Sequence, residues 1–513
     1  MKQHQDDAKS GWRITGRLAA LVLCGGIALV AGCSSPSEDT SHGGTGVPPV
    51  TLTTNTPAAI AVESDADYNN NTYGLITGAK LKSWISDWIA NRPAGITGKL
   101  IILQSTTGEV DAVVPYNYSY IKPNNLNVFT YLSPSSEWTM TRSNGVITTP
   151  SMVIDGPTMD ANLKKYNIDP HNDMIVCTQG TASTGNVMNM GRCWFALRYW
   201  GVDAKHLAVL NGGNKSLVDS GAMLAADFAT SGSSAPGTGV VSIKSVLTDN
   251  TAMMATVEDM FAIQPTYDVN VHNGTFLWDA RTILQYSAGE MQESGDSGCT
   301  PADPANYAYC VPPAGFNRMS SFQNQGSRQG HPNGSIQLNF TNLLDCTAGC
   351  IFKDKATLAG YLNGDIIGGK GMMDGTYQFV GPGNAYQAGD TIYVYCETTF
   401  RAMITGLTSA VILGKPTRFY DGGMIEWNSL SYLQDATGNF ILPIDSPWRS
   451  DVKSFFWAAT SPTLVAQRTI NDPYAANTHK IVQEDQLYKN PAASTGGGGS
   501  GGGSGPLPNP CGG

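Results

Sequence analysis

Thr391-Ile392-Tyr393-Val394-Tyr395-Cys396-Glu397-Thr398-Thr399-Phe400-Arg401 sets a β-branched and aromatic run directly against a short loop that carries a thiol. Thr391 to Tyr395 reads as a strand and Ala402 to Leu413 as a helix, followed by a second strand, Thr417 to Tyr420, and the turn Asp421-Gly422-Gly423. The loop therefore ends at a helix N-terminus, where backbone N–H groups can converge on Cys396. Such a cradle stabilises an anion, a thiolate among them. The chemistry it points to is nucleophilic sulfur. The bland alternative is a buried inert thiol, since free cysteines are often buried; the strand-end position favours the nucleophile.

Outward from this stretch the chain says something similar twice. The first half carries the strand Leu100 to Leu103, a helix from Met159 to Lys165, the polar turn Asn167 to Asp173 and the strand Met174 to Cys177. A helix from Gly191 to Trp200 follows, then the strand His206 to Leu210 and the turn Asn211-Gly212-Gly213. The second half carries the strand Thr275 to Trp278, then Asp279-Ala280-Arg281, the run Gly330-His331-Pro332-Asn333-Gly334-Ser335, and the Cys396 unit. Strands alternating with helices predict parallel α/β units. Two units of one plan predict a tandem repeat.

At 513 residues the chain is long enough for two or three domains at roughly 150 residues each. A 41% hydrophobic and 14% charged composition is that of a globular protein. The net charge is −10 and no lysine- or arginine-rich run occurs, which excludes nucleic acid as the expected partner. At the N-terminus, Lys2, Lys9, Arg13 and Arg17 precede the apolar stretch Leu18 to Ala31, a secretory signal too short for a comfortable span. Its end, Leu29-Val30-Ala31-Gly32-Cys33, resembles a bacterial lipobox. That resemblance implies a lipidated Cys33 as mature N-terminus, and Ser34 beside it implies the outer membrane. Residues 33–75 are a polar tether, 431–490 an ordered C-terminal extension, and 491–513 a Gly-rich tail ending near Cys511.

The second half resembles a rhodanese domain, through Asp279-Ala280-Arg281, Gly330-His331-Pro332-Asn333-Gly334-Ser335, Cys396 followed by Arg401, and Asp421-Gly422-Gly423 before Trp427. The first half resembles the paired, usually inactive, rhodanese domain through Arg192-Cys193-Trp194, Tyr199-Trp200-Gly201 and Val209 to Gly213. The implied fold is α/β, two tandem rhodanese-like domains (76–265 and 266–430), each a parallel sheet flanked by helices, with insertions and disordered termini. The implied activity is sulfurtransferase: a sulfane sulfur moves from thiosulfate or 3-mercaptopyruvate, through a Cys396 persulfide, to a thiophilic acceptor. Glu397, Thr398, Thr399 and Phe400 would form the persulfide cradle and Arg401 would add positive charge. Cysteine-dependent phosphatases of related shape place five residues between Cys and Arg; here there are four, a cradle better suited to one sulfur than to a phosphate. The loop departs from the family at Thr399, where a small residue or glycine is usual, at bulky Phe400, and at Glu397, where thiosulfate users carry basic residues. A neighbouring carboxylate disfavours both a thiolate and an anionic donor, so the donor stays open.

Asp279 and Arg281 are expected to pin strands and loops beneath the site rather than perform chemistry. His331 falls in a turn motif, and with seven histidines and no ligand spacing, no metal and no cofactor are expected. The triplet Asp65-x-Asp67-x-Asn69 has a calcium-like start but neither the glycine nor the closing glutamate of that loop. Trp194, Trp200 and Trp427 are expected in the core. Cys299 with Cys310, inside an insertion at about 283–329, and Cys346 with Cys350 are candidate local disulfides, as befits an exported chain. Cys177 ends the strand that corresponds to the Cys396 strand, and its route to Arg192 is too long for a six-residue cradle. A Cys177–Cys193 disulfide is the expected outcome, a second sulfur relay the alternative. Two functions from different classes follow: the lipid-anchored enzyme acting on small sulfur donors and acceptors, or a non-catalytic rhodanese-like assembly module for envelope redox proteins.

Overall fold

Leu100-Ile101-Ile102-Leu103 and Met174-Ile175-Val176-Cys177 are almost wholly excluded from solvent, as expected of strands covered on both faces of a parallel sheet. The computed structural model describes residues 51–108, 119–145, 147–287, 291–293, 309–310, 330–430, 433–434, 437, 439, 468–469 and 479–490. The signal segment, Cys33, Cys299, Cys511 and most of 283–329 lie outside the described residues, and with them the lipidation site and the Cys299–Cys310 pairing.

In the first half the chain runs through β1 (Gly74–Ile76), α1 (Gly78–Ser86), β2 (Leu100–Gln104), β3 (Val128–Leu132), the hairpin β4 (Thr139–Ser143) and β5 (Thr148–Val153), α2 (Gly156–Tyr166), β6 (Met174–Thr178), α3 (Thr184–Tyr199) and β7 (Leu207–Leu210). The second half repeats the plan. It runs through β8 (Met254–Ala255), α4 (Val257–Ile263), β9 (Thr275–Asp279), β10 (Ser335–Gln337), the short hairpin β11 (Leu344–Asp345) and β12 (Ile351–Phe352), and α5 (Lys355–Asn363). β13 (Thr391–Tyr395), α6 (Phe400–Gly406), β14 (Thr417–Tyr420) and α7 (Gly423–Leu430) complete it, and α8 (Lys480–Lys489) follows. The two five-stranded parallel sheets have the same strand order, β1-β7-β6-β2-β3 and β8-β14-β13-β9-β10. This is the two-unit parallel α/β architecture that the sequence predicts. The edge strand β8 of the second sheet lies ahead of residue 266, where the sequence reading begins the second unit. The expected tether 33–75 is also corrected in its last part: Ile60 and Tyr68 are buried, Val62 N–H donates to Ala410 O at 2.8 Å and β1 begins at Gly74, because the apolar residues here pack on the second half.

Strand register makes the repeat explicit. Leu100 pairs with Met174 as Thr275 pairs with Thr391, and Cys177 pairs with Val209 as Val394 pairs with Phe419. Matching these rungs aligns Asn211-Gly212-Gly213 with Asp421-Gly422-Gly423, as the motifs suggest. It also corrects the sequence reading at Cys177. The counterpart of Cys177 is Val394, and the position of Cys396 is taken by Gln179. β6 continues past Cys177 to Thr178, and the cysteine is bonded to Cys193 on α3.

A second correction follows from the cap of α3. The helix begins at Thr184 rather than Gly191, because Ser183 Oγ accepts the Asn186 N–H at 3.0 Å. The first half therefore does have a short loop, 179–183, between strand and helix.

α3 and α6 cross where the halves meet. A Cβ at Gly191 would fall 2.5 Å from Met403 Cβ, so this glycine lets the two helices touch. Phe195 packs on Phe419 with ring centroids 4.7 Å apart. One hydrophobic cluster runs through both halves, from Ile101 and Phe195 to Cys396 and Phe419. Trp194, Trp200 and Trp427 are buried. α8, within the expected C-terminal extension, docks on the first half: Arg142 of β4 grips Asp485 with two hydrogen bonds of 2.7 and 2.9 Å, and Tyr199 Oη donates to the same carboxylate at 2.8 Å.

The two hairpins cross over reciprocally. Val153 of β5 donates its N–H to Asp421 Oδ2 at 2.6 Å, and Phe352 of β12 donates its N–H to Asn211 Oδ1 at 2.8 Å. Asn211 and Asp421 are counterparts, so each half props the other's strand-end turn.

Candidate active site

Cys396 is the residue immediately after β13, with a free and fully buried thiol. The strand end is fixed to its neighbour where Ala280 N–H donates to Tyr395 O at 3.0 Å. Beyond it, the carbonyls of Cys396 and Glu397 accept the N–H groups of Met424 (2.9 Å) and Ile425 (3.2 Å) from the first turn of α7. Close approach is possible because residue 423 is glycine with φ +58°; a Cβ there would lie 2.4 Å from Glu397 O. Two loop carbonyls are thereby occupied. The N–H groups of Thr398, Thr399, Phe400 and Arg401 donate to no protein acceptor among the described residues. Consecutive unpartnered N–H donors opening a helix form a nest for an anion.

Thr399 shapes the nest. It has φ +62°, a left-handed conformation unusual for a β-branched residue. Here a threonine holds the backbone that a glycine adopts freely. Its buried Oγ1 holds it there, donating to Tyr420 O at 2.7 Å and Asp421 O at 3.1 Å. From across the halves, Arg192 Nη2 donates to Thr398 O at 2.5 Å while Nη1 pairs with Asp421 Oδ1 at 2.5 Å, and its guanidinium lies 4.8 Å from the Phe400 ring centroid. Arg192 and Asp421 are fully buried. A buried pair of this kind contributes more to fixing geometry than to net stability.

Glu397 is buried, 4% exposed as a residue, with Oε2 3.7 Å from Arg281 Nη1. Arg281 is itself held by Asp279, Nη2 to Oδ2 at 2.6 Å and Nε to Oδ1 at 3.0 Å, and donates to Gly330 O at 2.5 Å. Burial works against the Arg281 charge, but the ion pair with Asp279, backed by Glu397, outweighs it and holds the guanidinium protonated. Glu397 therefore meets a buried cation, which offsets part of the repulsion expected from its sequence position. Arg401 is half-buried, hydrogen bonded through Nη1 to Gln285 Oε1, and makes no ion pair among the described residues. It is the cation beside the nest that an incoming anion can meet.

Beneath the loop lies Glu426 of α7, a residue that sequence reasoning passes over. It is buried, and Asn144, from the turn of the β4–β5 hairpin, donates to its Oε1 at 2.7 Å. Burial pushes its carboxyl up to about 7, and nearby Asp421 pushes the same way. Arg192 and Asp421 were legible only as motif letters. Their pairing joins residues far apart in sequence, and no local pattern announces it.

The other sequence candidates fall in place around this centre. His331 bridges Tyr286 O and Asp268 Oδ2 at 2.8 Å each and stacks on the Tyr286 ring at 3.7 Å, a clasp for the turn before β10. Asp65 and Asp67 accept N–H groups of Asn70 and Asn69 within their own turn. Among the described residues no group of three or more histidine, cysteine or acidic side chains could hold a metal. Cys177 is bonded to Cys193 and Cys346 to Cys350. At the first half's corresponding loop, Gln179 stands where Cys396 would be. Its Oε1 accepts the Ser183 N–H at 3.4 Å and Thr106 Oγ1 accepts the Thr181 N–H at 3.1 Å, so two of the loop's N–H donors are taken up internally.

No family model and no curated protein matches this chain. Among solved structures it is similar to Tum1 from Saccharomyces cerevisiae at 12% identity, covering 70% of this chain and 95% of that one with a TM-score of 0.43. It is also similar to SseA from Escherichia coli, described with the rhodanese fold and the mechanism of 3-mercaptopyruvate sulfotransferases, at 14% identity, 68% and 98% coverage and a TM-score of 0.41. YnjE is similar at 13% identity, 69% and 66% coverage and a TM-score of 0.42. At such identities and scores these likenesses carry no weight for the activity of this chain.

Proposed function

We propose that the protein is a sulfurtransferase that carries a sulfane sulfur on Cys396. The observation that supports this above all is the run of four N–H groups without an acceptor among the described residues, Thr398 to Arg401, one residue beyond a free thiol at a strand end. The Cys396 thiolate attacks the outer sulfur of the donor. A new S–S bond forms while the donor's bond to that sulfur breaks: thiosulfate's S–S bond releases sulfite, and 3-mercaptopyruvate's C–S bond releases the enolate, which takes up the proton shed by the donor thiol to become pyruvate. The terminal sulfur of the persulfide carries the negative charge, and the N–H nest with the start of α6 stabilises it. An acceptor thiol or cyanide then takes the terminal sulfur and returns Cys396 as thiolate. Arg401 attracts the donor's anionic end, and Thr399, Arg192 and Asp421 hold the loop in register. The lipobox-like Leu29 to Cys33 supports a further proposal, that the enzyme is lipid-anchored in a bacterial envelope, in the outer membrane.

Complete burial of Cys396 favours a second reading, a non-catalytic module that uses the same fold for assembly with envelope redox proteins. Intact mass of residues 34–490, before and after thiosulfate or 3-mercaptopyruvate, separates the two, with Cys396→Ser run in parallel. Enzyme predicts a gain of one sulfur atom, removed by cyanide and missing in the variant. No gain from either donor, together with a thiol inert to alkylation in the native protein, sinks the transferase reading.

A further inference from the structure

The two described disulfides differ in exposure, in ring size and in the elements they join. Cys177 and Cys193 are at most 1% exposed, bonded between the centre of a sheet and α3. A reductant reaches them only when the first half opens. Cys346 is exposed, as are Thr347 and Ala348 beside it, while Cys350 is 4% exposed. The ring that joins them spans a sequence separation of only four residues. So short a loop gives the smallest restriction of the unfolded chain and the least resistance to opening. Cys350 is also held at φ +53° directly after Gly349 at φ +95°, two left-handed residues in succession, the second of them not glycine.

The position of this ring gives its opening a consequence. The hairpin β11–β12 has only two rungs, Leu344 with Phe352 and Asp345 with Ile351. Its counterpart β4–β5 has four and carries no cysteine. The turn 346–350 sits on the loop where the first half has Gln179. Gly213 N–H donates to Gly349 O at 3.3 Å, Gln179 Nε2 to Cys350 O at 3.4 Å, and a Cβ at Gly349 would strike Ser216. Phe352 N–H holds Asn211 on the far side. In a ladder this short, the covalent ring does what extra rungs do in the other hairpin.

We propose that Cys346–Cys350 is a thiol-exchange site for a dithiol reductant, and that its reduction undocks the β11–β12 turn from the first half. One thiolate of the dithiol attacks Cys346 Sγ, the accessible sulfur. The Cys346–Cys350 bond breaks, Cys350 leaves as thiolate and takes a proton from solvent. The second thiolate of the dithiol attacks its own sulfur in the mixed disulfide, freeing Cys346, which is protonated in turn. The dithiol ends as its disulfide, and the protein has gained two electrons and two protons. This site is separate from Cys396 and does not depend on sulfur transfer there.

The test uses dithiothreitol on the native full chain, with timed alkylation and peptide mapping. Cys346 and Cys350 are expected to open at least about 100-fold faster than Cys177 and Cys193. Opening of both pairs together, or of Cys346–Cys350 only in denaturant, overturns the exchange site. Amide hydrogen exchange reads the second half of the proposal. Gly213 and Phe352 are expected to lose protection in the reduced protein and, without reductant, in the Cys346→Ser/Cys350→Ser double variant. Unchanged protection at both amides overturns the undocking.

Discussion

Glu426 occupies a position where a charge costs most: it is buried, it faces Asp421, and its own helix holds the carbonyls of Cys396 and Glu397. Its carboxyl is raised from 4.5 to about 7. A raised carboxyl binds its proton more tightly folded than unfolded, so stability is greatest below the unfolded value and falls as pH climbs from about 4.5 to about 7. The loss over that window is about 3 kcal/mol by linkage. Glu426→Gln keeps an acceptor for Asn144 and never ionises. Urea unfolding from pH 4.5 to 8 should show this variant gaining on the wild type by most of that amount above pH 7. Parallel curves for the two proteins would show that Glu426 stays ionised in the folded state. Thr399 carries the opposite kind of cost, a left-handed backbone held by two side-chain hydrogen bonds. Strain of this kind persists where surrounding structure over-determines it, which is common at functional loops.

At the scale of elements, the crossing of α3 and α6 connects packing to the candidate site. α6 opens with the N–H nest, and α3 carries Arg192 to Thr398 and Asp421. The spacing of the two helices is set by Gly191 against Met403. Gly191→Val places methyl groups where Met403 already stands, so the helices must part. The expected cost is about 1–3 kcal/mol, typical of overpacking, read as a lower denaturant midpoint. Because α6 moves with its loop, Cys396 should also alkylate faster in the native state. An unchanged midpoint would mean that the crossing yields without strain. Helix α6 continues as a π-helix from Leu407 to Ile412, a wider turn for which the structure offers no evident local cause.

For the whole molecule, the decisive feature is a hydrophobic core common to both halves. Phe195 and Trp194 lean on Phe419, and among the described residues Arg192 is neutralised by Asp421 of the other half. Residues 51–250 expressed alone would expose this apolar face, Trp194 and Phe195 included, to water and lose the packing against Phe419. That segment should lack the near-ultraviolet signal of packed tryptophans and elute as an expanded or aggregated species. A monomeric, cooperatively unfolding segment would show instead that the two halves are independent domains. Sequence alone was sufficient for the strands at 100–103, 174–177, 206–210, 275–278, 391–395 and 417–420, the loop after Tyr395, the paired Gly-Gly turns and the tandem plan, but not for the strands Gly74–Ile76, Val128–Leu132 and Met254–Ala255 or the hairpins. The legible ones rest on local periodicity and turn chemistry, which act over a few residues. It was sufficient, too, for Cys396 and Arg401 as the residues to examine, because a thiol between strand and helix is a local pattern. Tertiary structure decided that Gln179, not Cys177, stands opposite Cys396 in the repeat, since parallel register is set by pairing between distant strands. It also decided that Arg192 and Asp421 lock the loop, that Glu397 meets Arg281, and that Glu426 is buried. Each of these depends on which far-apart segments pack together and how much water they exclude, and burial and long-range pairing are written in no short stretch of sequence.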